Sequence, residues 1–387
     1  MTRRQLVCSP VWTVRRAHTG GGSESSVEDP VSDDRILWLD LARIVSVIAI
    51  VMLHVTLVAY APYAADSAQR DAWLAAIDET WPFHLTTLFV ISGMLSSDRI
   101  RSGFGAGAGR VVLRPLYLYV VWYAIYVLLT SAGDNTWTPV LWQKKSVLIE
   151  LVLPKNVLWF LLALAVWSTV FALIRKLPAW LVLSITLCVS VLTWWLPGIR
   201  GVDQYVNVLT YGFFLAVGVY GRNSIITCVM RHPAWTVAAS VVVFGVSRLV
   251  VRDFWTLPAG ALVYPVYLIS AALVLLTASS LLVKIPILRR SAIWSGPRAL
   301  PLYVLHLPIA GALVLLPWWG DIIAWISART PIFPAVLGAV VICIALGIYA
   351  VAIRTPARVL FDPPNIIVRD RRRSSTAAVD RGDLPTG

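Results

Sequence analysis

The chain has 387 residues, of which 58% are hydrophobic and 14% are charged, and its mean hydropathy is +0.75. Soluble proteins are typically about 45–50% apolar and about 25% charged, so this composition excludes a soluble globular fold. The apolar stretches lack the period-2 alternation of barrel strands. The net charge is +13, and a strongly basic chain raises the question of nucleic-acid binding, but the sequence contains no nucleic-acid-binding motif. We therefore predict an all-α, multi-pass membrane protein whose partner is the lipid bilayer and not nucleic acid.

Both ends of the chain are polar. Residues 1–35 contain a glycine- and serine-rich run from Thr19 to Ser26, and no apolar signal-peptide region follows their basic residues. We expect a disordered cytoplasmic tail there, a transmembrane domain over residues 36–355 and a basic cytoplasmic tail over residues 356–387. The four cysteines show neither metal-binding nor disulfide spacing, so no metal is expected.

Ten apolar runs are candidates for crossing the roughly 30 Å hydrocarbon core of a bilayer. They lie near Ile36–Tyr60, Pro82–Leu95, Val111–Thr130, Val157–Ile174, Trp180–Leu196, Val206–Tyr220, Trp235–Leu249, Ala259–Val283, Leu300–Trp318 and Phe333–Ile353. With a cytoplasmic N-terminus, 24 of the 33 Lys and Arg residues fall in inner segments, eight in outer loops and one, Arg43, inside the membrane. This asymmetry obeys the positive-inside rule. We predict about ten transmembrane helices in one bundle, with both termini cytoplasmic, in the inner or plasma membrane.

The first apolar run carries three ionisable residues, Asp40, Arg43 and His54, which are candidates for function because charge is costly inside a membrane. At about 100° per residue, the step from Arg43 to His54 returns to within about 20° of its starting direction, so both lie on one helix face. Asp40 is placed to pair with Arg43, and His54 lies about 27 Å from the cytoplasmic helix end. Structural roles remain open, since Arg43 could reach the headgroups and His54 could bond to a backbone carbonyl.

The second apolar run contains His84, Thr86, Thr87 and Ser92 next to Gly93. Hydroxyl groups beside a small residue are typical of close helix packing in a bilayer, which is the structural alternative to a site in this run.

Two basic residues and a histidine in other runs are further candidates. Arg110 and Arg114 share a face at the start of the third run, where they could bind the phosphates of a cytosolic ligand or simply determine topology. Pro301 and Pro308 bracket His306, and a helix opened by these prolines would free carbonyl groups for the imidazole to bond.

Six sequence blocks occur in an order and spacing that match a known family. Arg43 and His54, with ten residues between them in RILWLDLARIVSVIAIVMLHV, fit an R/K-x10-H motif. The other blocks are FHLTTLFVISGML, the R-x3-R-P start of the third run at Arg110, LWFLLAL, YGFFLAVGVY and LYVLHLP. The set resembles the acyltransferase-3 family of integral-membrane O-acyltransferases, which includes O-antigen and exopolysaccharide acetylases. Thr86 and Thr87 depart from it, because they stand where that family usually has Met-Pro.

This resemblance implies transfer of an acyl group, most often acetyl, from cytosolic acyl-CoA to a hydroxyl group of a sugar, a glycolipid or a glycosylated product. His54 would be the general base, or a transient acyl carrier, because a hydroxyl is a weak nucleophile until a base takes its proton. Arg43, held by Asp40, would bind the donor or stabilise an oxyanion. Donor-binding candidates are Arg110, Arg114 and Ser92, and the remaining site candidates are His84, Trp159 and His306.

A transporter or flippase of a lipid-linked sugar is the alternative hypothesis, since intramembrane ionisable residues and prolines would also serve alternating access. Against it, the ten runs show no repeated halves, and no acidic relay occurs in the later ones. No SGNH-type hydrolase domain follows the last run, so we expect transfer to finish within the membrane unit or in a separate protein.

Overall fold

The computed structural model describes residues 36–65, 67–104, 109–131, 147–152, 154, 156–195, 204–254, 258–327 and 329–364. All regular secondary structure within these ranges is helical, which confirms the predicted all-α fold. The tail predicted over residues 1–35, and most of the one predicted over residues 356–387, lie outside the described residues.

The α-helices are α1 (Leu37–Val55), α2 (Ala68–Ser102), α3 (Gly109–Ser131), α4 (Val147–Val152), α5 (Trp159–Leu173), α6 (Ala179–Leu192), α7 (Gln204–Arg231), α8 (Pro233–Asp253), α9 (Pro258–Leu282), α10 (Pro286–Ser295), α11 (Ala299–Val314), α12 (Trp319–Ser327) and α13 (Phe333–Ala352). A π-helical turn, Thr56–Tyr60, continues α1, and a 3-10 helix, Pro356–Leu360, follows α13.

Each of the ten predicted runs corresponds to one of these helices. Within the described ranges, seven helical stretches are long and apolar enough to cross a membrane, and α5 and α6 are apolar but shorter. The remaining run, Pro82–Leu95, is the second half of the 35-residue helix α2, whose first half is more polar. The number of crossings and the side of each terminus therefore stay predictions.

Helix α1 lies at the centre of the bundle, where it packs against α2, α9, α10, α11 and α13. Because neighbours surround it, apolar side chains on several of its faces are buried, among them Leu39, Val47, Ile50 and Val51. The polar residues of α1 consequently lie between helices, where membrane proteins build their sites.

Helices α2 and α7 approach closely because both carry glycine where they cross. A Cβ atom on Gly93 would overlap the backbone carbonyl oxygen of Leu215, and one on Gly218 would in turn overlap the backbone of α2. Ser97 Oγ donates a hydrogen bond to Val219 O across the same contact, at 2.6 Å. Small residues let membrane helices pack at short distance. This contact is the close helix packing that the composition of the second run indicates.

The chain after α13 turns back onto α3. Trp122 Nε1 donates to the carbonyl oxygen of Leu360 at 2.8 Å, within the 3-10 helix Pro356–Leu360. Arg114 forms an ion pair with Asp362, with 2.8 Å between nitrogen and oxygen. The packed part of the protein thus continues past residue 355.

Candidate functional site

His54 lies in the last turn of α1, immediately before the π-helical turn Thr56–Tyr60, a kind of irregularity that is frequent at functional sites. Its Nδ1 atom is 3.0 Å from the carbonyl oxygen of Ile50 and 3.1 Å from Nε2 of His306 in α11. The two ring centroids are 5.0 Å apart. His306 is fully buried, whereas His54 is half-buried. Only His54 of this pair is therefore accessible to a substrate.

The hydrogen bonds assign the tautomers of both rings. His306 Nδ1 lies 3.3 Å from the carbonyl oxygen of Leu302, which can only accept, so Nδ1 carries the proton and Nε2 is an acceptor. His54 Nδ1 then faces two acceptors, Ile50 O and His306 Nε2, and carries the proton of its own ring. The Nε2 atom of His54 is left unprotonated, which is the form that a general base requires.

Pro308 in α11 fixes the surroundings of His306 indirectly. Because proline has no N–H group, the carbonyl of Val304 lacks its usual helical donor. Tyr126 Oη of α3 donates to that carbonyl instead, at 3.2 Å. The expectation that a proline-freed carbonyl would bond to His306 is therefore wrong, since the imidazole bonds to Leu302 O and the freed carbonyl ties α11 to α3.

A cavity of about 520 Å³ lies beside His54, and we name it the histidine cavity. Besides His54 and several aliphatic side chains, its walls are aromatic and uncharged polar groups: Trp81, Trp159, Trp194, Tyr211, Tyr264, Tyr303, Ser190, Thr193, Gln204, Asn207 and Thr210. Trp159 is fixed in this wall by ring contacts with Tyr211 at 5.5 Å and with Phe89 at 5.8 Å. The cavity combines apolar faces with hydrogen-bonding groups next to a base.

A second cavity, of about 500 Å³, lies beside the first half of α1, and we name it the arginine cavity. Four of its lining residues are Arg43, Arg99, Arg110 and Arg114, from α1, the end of α2 and the start of α3. Asp362 and Ser92 also line it. Arg43 is held by an ion pair with Asp40, with 3.3 Å between nitrogen and oxygen. A concentration of guanidinium groups in one concavity is suited to a polyanionic ligand such as a phosphate ester.

Tyr303 of α11 lines both cavities. The Tyr303 hydroxyl donates to the carbonyl oxygen of Val157, just before α5. Its ring centroid lies 5.5 Å from that of Phe160 and 6.0 Å from that of His306. Tyr303 thus borders both the arginine cavity and the cavity that contains His54.

Residues 36–349 match the family model described as the acyltransferase domain of the acyltransferase-3 family. This chain belongs to that family. No curated protein and no solved structure matches the chain. The family supports membrane acyltransferase activity, and the apolar helices that the structure describes agree with a multi-pass membrane acyltransferase.

The structure divides the site residues predicted for this acyltransferase between the two cavities. His54 and Trp159 line the histidine cavity, whereas Arg43, Ser92, Arg110 and Arg114 line the arginine cavity. His306 lies behind His54, and Asp40 pairs with Arg43. Arg43 and His54 share a helix face, yet the helical rise separates them by about 16 Å.

His84 of the acyltransferase lines neither cavity. It is 1% exposed. Both of its ring nitrogens lack a hydrogen-bond partner among the residues that the structure describes. Within the same residues, His54, His84 and His306 belong to no group that could hold a metal ion.

Several residues that line the acyltransferase cavities were not predicted from the sequence, namely Tyr303, Trp81, Trp194, Gln204, Asn207 and Asp362. Tyr303 stands in the LYVLHLP block that also contains His306, so its position three residues before that histidine was a usable signal. Trp81, Gln204 and Asn207 come from α2 and α7, Trp194 lies in a 3-10 turn after α6, and Asp362 follows the 3-10 helix Pro356–Leu360. The sequence pattern does not reveal the neighbours of any of them.

Proposed function

We propose that this acyltransferase transfers an acyl group, with acetyl as the first candidate, from cytosolic acyl-CoA to a hydroxyl group of a sugar, a glycolipid or a glycosylated product. Its place would be the inner or plasma membrane. The observation that carries the proposal is the contact between His54 Nδ1 and His306 Nε2 beside a cavity that shares Tyr303 in its lining with an arginine-lined cavity.

The arginine cavity supports binding of the donor. Coenzyme A carries phosphates at one end and its thioester at the other, joined by a long flexible arm. Arg43, Arg110 and Arg114 would bind the phosphates through charge-assisted hydrogen bonds. The arm would pass Tyr303 and bring the thioester to His54, across the separation of about 16 Å along α1. This assignment favours donor binding for Arg43 over the role in oxyanion stabilisation.

The chemistry at His54 is general-base catalysis. An acceptor hydroxyl in the histidine cavity adds to the thioester carbonyl as its proton moves to His54 Nε2. The tetrahedral adduct then expels the thiolate of coenzyme A, which takes that proton and leaves as the thiol, so His54 returns to its neutral form. His306 accepts from His54 Nδ1 throughout and stabilises the imidazolium that forms transiently.

The test is release of coenzyme A from radiolabelled acetyl-CoA by the purified protein in nanodiscs, with and without envelope extracts as a source of acceptors. Wild type should release coenzyme A, and His54→Ala should reduce the rate by more than about 100-fold because the base is lost.

His232→Ala is the matched control, since this exposed histidine at the start of α8 lines neither described cavity. It should keep the wild-type rate. Turnover that survives in His54→Ala would refute the mechanism, and the absence of turnover in wild type with every extract would favour the transporter hypothesis.

A further inference from the structure

The histidine cavity has a wall of aromatic rings on one side. Trp194 and Trp81 both contact Tyr264, with ring centroids 5.1 Å and 6.3 Å apart. All three line the cavity, and Trp194 is held there with 7% of its surface exposed. Flat, fixed aromatic faces pack well against the C–H faces of a sugar ring, while the ring edge remains available for hydrogen bonds.

Amide groups provide the hydrogen bonds that sugar hydroxyls need. Asn207 Nδ2 donates to Gln204 Oε1 at 2.7 Å, so the two amides form a connected pair at the start of α7. Among the described residues, nothing else bonds to Asn207 Oδ1 or Gln204 Nε2, which offer a ligand an acceptor and a donor, the combination that vicinal hydroxyl groups match.

The end of α6 adds a buried hydroxyl to the same cavity. Ser190 lines it, is 3% exposed, and its Oγ atom lacks a hydrogen-bond partner among the described residues. A buried hydroxyl in this state costs free energy unless a ligand or water satisfies it. An alkyl chain would bond neither to Ser190 nor to the two amides, so the polar lining argues for a polar ligand.

The two cavities differ in the charge of the residues that line them. None of the described residues that line the histidine cavity is Asp, Glu, Lys or Arg, whereas the arginine cavity has four guanidinium groups. A carboxylate or phosphate that entered the histidine cavity would lose its hydration without gaining an opposite charge, and this desolvation costs several kcal/mol, on the order of that for buried ions.

We infer that the histidine cavity takes an uncharged sugar residue as the acyl acceptor and excludes uronic acids and sugar phosphates. Gln204 and Asn207 bond its hydroxyls, Trp81 and Trp194 stack on its ring, and one hydroxyl lies against His54 Nε2. The inference rests on the proposed function for the identity of the base, but the cavity's preference for a neutral sugar can be measured without turnover.

The experiment is saturation-transfer NMR on the protein in nanodiscs, with two sets of ligands. One set contains methyl glucoside, methyl mannoside and methyl galactoside, and the other contains the matching methyl uronides and 6-phosphates. At least one neutral glycoside should bind at least about tenfold more tightly than its anionic counterparts. Asn207→Ala and Trp194→Ala should weaken that binding by about tenfold, because each removes a direct contact.

Trp180→Ala is the matched control, because Trp180 of α6 is 68% exposed and lines neither described cavity. It should leave binding unchanged, and elution and melting temperature in detergent report the folding of each variant. A folded Trp194→Ala or Asn207→Ala protein that binds as wild type does would overturn the inference. Equal binding of anionic sugars, or no binding of any neutral glycoside, would also overturn it.

The rate of coenzyme A release, measured in parallel on wild type and His54→Ala, separates the two proposals. Neutral-sugar binding without His54-dependent release would refute the proposed function and leave the cavity assignment standing. His54-dependent release with equal binding of neutral and anionic sugars would refute the cavity assignment alone.

Discussion

At the scale of single residues, the base depends on a partner from another helix. His306 Nε2 accepts from His54 Nδ1, and this bond, with that from Nδ1 to Ile50 O, holds the ring by Nδ1 and leaves the lone pair on Nε2. His306 is thus a positioning residue, because it acts through His54 and is itself fully buried. Its position 252 residues further along the chain explains why the sequence shows two histidines but not the pair.

Loss of His306 should slow transfer without abolishing it. His306→Ala removes one of the two acceptors at His54 Nδ1, a change of about 1–1.5 kcal/mol, so kcat should fall by about tenfold while KM for acyl-CoA stays unchanged. His306→Gln should recover part of the rate, because its amide oxygen can accept the same proton. Steady-state kinetics of both variants measure kcat and KM for acyl-CoA. Equal rates for His306→Ala and His306→Gln would show that His306 only fills space.

Asp362 should compete with the donor for Arg114. The carboxylate is paired with that guanidinium at 2.8 Å, and both groups are more than half exposed, so the pair is weak. Asp362→Asn should lower KM for acyl-CoA by up to about fivefold, whereas Arg114→Ala should raise it by about tenfold.

Arg231→Ala is the control for these two variants, because this exposed arginine at the end of α7 lines neither described cavity. Titration of acyl-CoA at low and high salt measures all three variants. An unchanged KM in Arg114→Ala would remove this arginine from the donor site.

At the scale of elements, the crossing of α2 with α7 positions both cavities, since α2 supplies Trp81 to one and Ser92 to the other. Gly93→Ala should destabilise the protein by about 1–3 kcal/mol, because the new methyl group overlaps the carbonyl of Leu215 and forces the helices apart. Thermal unfolding in detergent measures the effect. Gly245→Ala in α8 is the control, because a Cβ atom at Gly245 meets no atom within 4 Å. If Gly245→Ala lost as much stability as Gly93→Ala, the packing argument would be contradicted.

The sequence predicts where the helices lie better than it predicts which helices contact each other. Continuous apolar runs identify helices because membrane helices satisfy their backbone hydrogen bonds internally, and the Arg43–His54 stripe follows from helical periodicity. Which helices touch is a property of three-dimensional packing, so the sequence shows neither that Trp81 and Trp194 share a wall nor that Arg43 and His54 open into different cavities. The 3-10 helix Pro356–Leu360 was missed for the same reason, since its partner Trp122 lies more than 200 residues earlier.

At the scale of the whole molecule, Tyr303 borders both a cavity lined by arginines and a cavity without charged side chains among its described residues. A transferase must keep water from its thioester until the acceptor is present, and closure of a passage is one way to achieve this. Tyr303 is suited to that task because its hydroxyl is anchored to Val157 O and its ring packs against Phe160.

If Tyr303 closes a passage between the cavities, its removal should convert transfer into hydrolysis. Tyr303→Ala opens the passage between the cavities, so water reaches the thioester and the ratio of acyl transfer to acyl-CoA hydrolysis should fall by about tenfold or more. Tyr303→Phe keeps the ring and should stay within about threefold of the wild-type ratio, since only the bond to Val157 is lost. Tyr349→Ala is the control. Tyr349 lines the arginine cavity but not the histidine cavity, so its truncation leaves the Tyr303 side chain in place. Both products are counted in one assay with labelled donor, and a Tyr303→Ala protein with the wild-type ratio would show that water is excluded elsewhere.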